Sequence, residues 1–211
     1  MSLIAKKSSG GESQFEILEE GTHAAICTQL IDIGPQEVEW QGVKKLQDKV
    51  KLRFEVPAER VQWVTKEGKQ DEGPKVIWAT YTNSLSDNAK LRAHLESWRG
   101  RTFTDEELAG FDLKNILDKP CMLTVVHREY NGKRYANIAM VGKLMKGLNP
   151  QREGELIYFD FDDHSQAEFD ALSEWLQSAV KAGQANRTHQ VAVPGYDSVD
   201  NSIEDDDSIP F

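Results

Sequence analysis

Lys49-Val50-Lys51-Leu52-Arg53-Phe54-Glu55-Val56 alternates charged and apolar side chains without a break. In an extended chain, successive side chains point to opposite faces. Val50, Leu52, Phe54 and Val56 then share one apolar face, and Lys49, Lys51, Arg53 and Glu55 share the other. A helix would scatter the four apolar groups around its circumference. The stretch therefore predicts a β-strand with one buried and one wet face, closed by Pro57, and makes the chain mainly β.

Upstream, Thr22 to Ile33 alternates in the same way and predicts a first strand, ended by Gly34-Pro35. Lys44 and Lys45 follow in the first connecting loop, with Trp40 as a lesser ring for stacking. Downstream, residues 58–74 hold Gly68, Gly73, Pro74 and many charges, and read as a long connection that carries Trp63. A third strand, Lys75 to Thr82, places Ile77, Ala79 and Tyr81 on one face and Trp78, Thr80 and Thr82 on the other.

Asp87 caps a helix through Trp98, with Leu91, Leu95 and Trp98 at helical spacing. Thr104-Asp105-Glu106-Glu107 has the form of a capping box. Cys121 to Arg128 and Arg134 to Leu144 then form a hairpin around Tyr130-Asn131-Gly132-Lys133, because Asn and Gly both tolerate the positive φ of a two-residue turn. Leu156 to Phe161 is a further short strand. Ser165-Gln166-Ala167-Glu168 opens a last helix whose Phe169, Leu172, Leu176 and Val180 form one stripe ending at Ala182-Gly183, with Trp175 placed in the core beside it.

Strand, strand, strand, helix, strand, strand is the element order of an OB-fold, a five-stranded barrel that binds oligonucleotides on its second and third strands and through its loops. The expected organisation is a flexible arm over 1–14, an OB-fold-like five-stranded barrel with a C-terminal helix over 15–182, a disordered linker over 183–204 and an acidic tip over 205–211. Binding an unpaired strand takes cations for phosphates and flat rings for bases. Lys49, Lys51, Arg53 and Trp78 supply both on the outer face of strands two and three. Arg128, Tyr130, Lys133, Arg134 and Tyr135 supply both again around the hairpin turn.

The net charge of -10 hides an asymmetry. Residues 1–150 hold 22 Lys and Arg against 21 Asp and Glu, whereas residues 151–211 hold 3 against 14. A balanced body with an acidic end suits a tail with a task of its own. Cys27 and Cys121 make neither a disulfide framework nor a metal spacing, and no metal or cofactor is expected. No phosphate-cradling, nucleophile-elbow or zinc motif is present, so catalysis has no anchor. No apolar run reaches membrane length, and a cytoplasmic setting is expected.

The tip, Asp205-Asp206-Asp207-Ser208-Ile209-Pro210-Phe211, sets an apolar end on a run of carboxylates. Such an end suits docking, with Phe211 in a pocket and basic residues on its rim. It resembles the acidic tip of bacterial single-stranded DNA-binding proteins, which ends Asp-Asp-Asp-Ile-Pro-Phe, with Ser208 as the one interruption here. The body looks more like the phage-encoded proteins of that kind. The resemblance implies a sequence-independent single-stranded DNA-binding protein of DNA replication, recombination and repair, whose Asp205, Asp206, Asp207, Ile209, Pro210 and Phe211 recruit partner proteins. Self-association stays open. Two other readings remain beside it: an adaptor that binds only protein, and a DNA-processing enzyme with dispersed carboxylates.

Overall fold

The structure, a computed structural model, describes residues 17–65 and 67–192. The arm over 1–14, most of the expected linker and the tip Asp205–Phe211 lie outside the described residues, as does the side chain of Trp40.

Five antiparallel strands, β1 (Gly21–Trp40), β2 (Val43–Val64), β3 (Gln70–Thr82), β4 (Pro120–Tyr130) and β5 (Lys133–Gly142), lie in the order β3-β2-β1-β4-β5 and curl into a half-barrel. The edge strands β3 and β5 approach one another without pairing. A short β6 (Ile157–Phe159) runs parallel to β1 along Gln29–Ile31. Helix α1 (Lys90–Arg99) and the short α2 (Asp105–Ala109) separate β3 from β4, and α3 (Gln166–Ala171) and α4 (Glu174–Ala192) follow β6.

The alternation read at Lys49–Val56 is the frame of the interior. Val50, Leu52, Phe54 and Val56 are buried in one core with Leu91, Leu95 and Trp98 of α1 and with Leu123, Val125, Ile138 and Val141 of the β4–β5 hairpin. Trp98 stacks at a tilt on Phe54, and its indole N–H donates to the Pro120 carbonyl at 2.8 Å. A second core lies on the opposite face of the sheet. There Ile31, Ile33, Phe159 and Phe161 meet the predicted stripe Phe169, Leu172, Leu176 and Val180.

Two expected strand boundaries need correcting. Gly34-Pro35 does not end β1: the strand steps over a bulge between Asp32 and Pro35, with Gly34 at φ 65° and its N–H donating to the Asp32 carboxylate at 2.8 Å. It continues to a tight turn at Gln41-Gly42, where both residues have positive φ. Pro57 does not end β2 either. The register shifts between Val56 and Arg60, and the strand pairs on to Val64↔Gln70, so residues 58–74 form a β-ribbon in place of the expected loose connection.

The C-terminal helix also differs. The capping box at Ser165 forms as expected, but the helix it opens stops at Leu172, and α4 starts afresh at Glu174. Gly183, read as a stop, lies inside α4. The reason is packing: a Cβ there would come 2.3 Å from the Ile33 carbonyl oxygen and 2.9 Å from the Phe161 ring. The glycine lets the helix lie directly on β1, and the helix continues into the first ten residues of the expected linker.

Candidate nucleic-acid interface

Arg53 of β2 stands directly across from Trp78 of β3, Lys51 from Thr80 and Lys49 from Thr82. Side chains opposite one another in an antiparallel pair share a face, so the sequence-predicted cations and ring do come together. The face is not wet, however. Lys49 is 8% exposed, Lys51 6% and Glu55 0%. The Lys49 ammonium donates to the Thr82 hydroxyl at 2.7 Å and that of Lys51 to the Thr80 hydroxyl at 2.9 Å.

The start of α4 covers the middle of this face, at Trp78 and Lys51. Trp175 meets Trp78 edge to face at 5.0 Å and lies over the Lys51 ammonium at 5.2 Å. Burial pushes the Lys51 ammonium down to about 8, close to losing its charge under mildly alkaline conditions. Trp175 itself is 46% exposed and forms the rim of this face, which corrects its expected place in the core. Alternation alone could not show the covering, because the α3–α4 segment is remote in sequence. A strand whose charges are amphipathic long chains reads the same whether a helix lies over it or not.

Glu55 is held by the segment before β6. Its carboxylate accepts from the N–H of Glu153 at 2.6 Å and from that of Gly154 at 3.0 Å, and a Cβ at Gly154 would come 2.7 Å from the carboxylate. The Glu153 side chain in turn pairs with Arg60 on the β2–β3 ribbon. A buried carboxylate thus straps residues 153–154 onto the sheet.

Between this strap and the α3–α4 corner, a cleft of about 280 Å³ stays open. Its floor is a transverse row of sheet neighbours: Trp78 on β3, Arg53 on β2, Gln29 on β1 and Ile157 on β6. Leu172, Ser173 and Leu176 form the far wall. Arg53 donates from Nη1 to the Thr28 hydroxyl at 3.0 Å, its one side-chain hydrogen bond among the described residues. Burial lowers its guanidinium pKa, opposed by the Glu55 charge.

The β4–β5 hairpin carries the second predicted group. Asn131 at φ 50° and Gly132 at φ 73° make the expected two-residue turn. The register sets Arg128 opposite Tyr135 and Tyr130 opposite Lys133. Residues two apart on a strand share a face as well, so these four side chains form a checkerboard of two cations and two rings. Tyr130 is 50% exposed, and neither Arg128 nor Lys133 has a carboxylate partner among the described residues. Arg134 is separated from the group. It lies on the other face of the hairpin, opposite Glu129, with which it pairs at 3.6 Å. β1 stops pairing with β4 at Gly21↔Val125, so the part bearing the checkerboard projects as a two-stranded arm.

Cys27 and Cys121 are free and buried, and burial pushes the Cys27 thiol up to about 12. They behave as small apolar groups of the first core. Among the described residues, no group of three His, Cys, Asp or Glu side chains is arranged to hold a metal ion. No described helix is long and apolar enough to cross a membrane. No protein-family model matches the chain, and no curated protein matches it in sequence.

Proposed function

We propose that the chain is a sequence-independent single-stranded DNA-binding protein built on an OB-like half-barrel, acting in DNA replication, recombination and repair. The observation that carries this reading is the outward checkerboard of Arg128, Tyr130, Lys133 and Tyr135 on a projecting hairpin. Exposed cations with no carboxylate partner among the described residues suit the phosphates, which contribute the salt-dependent part of the affinity, and flat rings suit bases of any identity. A duplex hides its base faces and offers only its phosphates to such a surface. The strand order and the helix between β3 and β4 fit an OB-like barrel, and the resemblance of the Asp205–Phe211 tip supports a partner-recruiting role for the C-terminus. The setting that goes with this reading is the cytoplasm of a bacterial host.

Fluorescence anisotropy with a labelled oligo(dT) and the matching duplex tests it. The full chain is expected to bind the single strand at least tenfold more tightly than the duplex. Changing Tyr130 and Tyr135 together to Ala is expected to remove most of that margin. Equal binding of both forms, or no binding of either, would refute the reading.

A further inference from the structure

The cleft between the sheet and the α3–α4 corner sets two polar side chains, Arg53 and Gln29, beside the edge of the second core. Its floor combines an indole, a guanidinium and a carboxamide in one row across β3, β2 and β1. Among the described residues the Gln29 amide makes no hydrogen bond, and the Arg53 guanidinium makes only the one to Thr28. A planar fork of donors and an amide that both donates and accepts thus face a space walled by Leu172, Ser173 and Leu176. At about 280 Å³ the space falls just under the roughly 300–1,000 Å³ of pockets that hold drug-sized molecules. It suits a single flat heterocycle.

We propose that this cleft takes one unstacked nucleobase of a bound strand, the ring lying against Trp78 and its edge meeting Arg53 and Gln29. The proposal rests on the single-strand-binding reading. Arg53 only donates, so the base it holds best carries carbonyl oxygens, as thymine and guanine do, ahead of adenine. Trp175, at the rim, screens the base from water. The cleft and the hairpin arm then divide the work. The arm grips the strand through phosphates and stacking, and the cleft anchors it at a fixed point, roughly eight residues of β1, or about 26 Å, from the edge where the arm begins.

Photo-crosslinking of the full chain to oligo(dT) containing 5-iododeoxyuridine tests the cleft directly, with the crosslinked peptides mapped by mass spectrometry. Crosslinks are expected both at Tyr130 or Tyr135 and at Trp78 or Trp175. Ala171→Trp, an exposed position on the cleft wall, is expected to abolish the Trp78 and Trp175 crosslinks, keep those on the arm and weaken binding about tenfold. Crosslinks confined to the arm of the wild-type chain would overturn the cleft proposal and leave the wider reading standing. Failure of the wild-type chain to bind the oligonucleotide at all would overturn both.

Discussion

The Tyr81 hydroxyl and His94 Nδ1 lie 2.9 Å apart in the first core, joining β3 to α1. The Ala139 backbone of β5 favours the charged form of the same ring, against the burial that disfavours it. One buried imidazole therefore ties the edge strand β3 to the helix that packs on β5.

That bridge makes stability depend on pH. Burial, helped by the Lys90 charge, holds the His94 pKa down at about 4, against roughly 6.5 in an unfolded chain. Between those values the unfolded state binds the extra proton. Stability from this residue is therefore fully present above about pH 6.5 and is lost as pH falls toward 4, by on the order of 3 kcal/mol. Urea titrations of the wild-type chain and His94→Gln across this range isolate it from the carboxylates. The difference between the two is expected to shrink as the medium is acidified. A difference that stays constant with pH would refute the bridge.

Gly183→Ala is expected to destabilise the protein by roughly 2–4 kcal/mol, although alanine is the better helix former by about 1 kcal/mol. The added methyl has no room against the Ile33 carbonyl and Phe161, so α4 must lift from β1. Thermal unfolding reads this out. A variant as stable as the wild type would show that the helix does not lie this close.

Glu55→Gln tests the strap. Two backbone N–H groups converge on the buried carboxylate, and the amide offers a single acceptor oxygen in its place. The variant is expected to lose roughly 1–3 kcal/mol, with faster amide hydrogen exchange at Glu153 and Gly154. Unchanged exchange at these two amides would mean that the segment is held by something else.

The inner half of the fold was legible from period and turn chemistry alone. Val50, Leu52, Phe54 and Val56, the Asn131-Gly132 turn and the capping boxes at Thr104 and Ser165 each depend on residues close in sequence, and each formed as read. The outer face was not legible, because Trp175, which covers Lys51, lies more than 120 residues downstream. Breakers misled for a related reason. Gly34, Pro57 and Gly183 read as stops, yet a bulge, a register shift and a close helix-to-strand contact absorb them, and these belong to tertiary context. Within the candidate site, composition alone marks the hairpin group. Only the register could show that Arg134 faces away from the other four.

The central claim, an exposed hairpin that grips the phosphates and bases of an unpaired strand, is tested most directly by the salt dependence of oligo(dT) binding. The logarithm of the affinity, plotted against the logarithm of the salt concentration, gives a slope that counts displaced counterions at about 0.7 per phosphate contact on a single strand. Arg128→Ala and Lys133→Ala are each expected to weaken binding and to make that slope shallower by about one contact, whereas Arg134→Ala, on the opposite face, leaves it unchanged. Slopes that are equal for wild type, Arg128→Ala and Lys133→Ala would contradict the account.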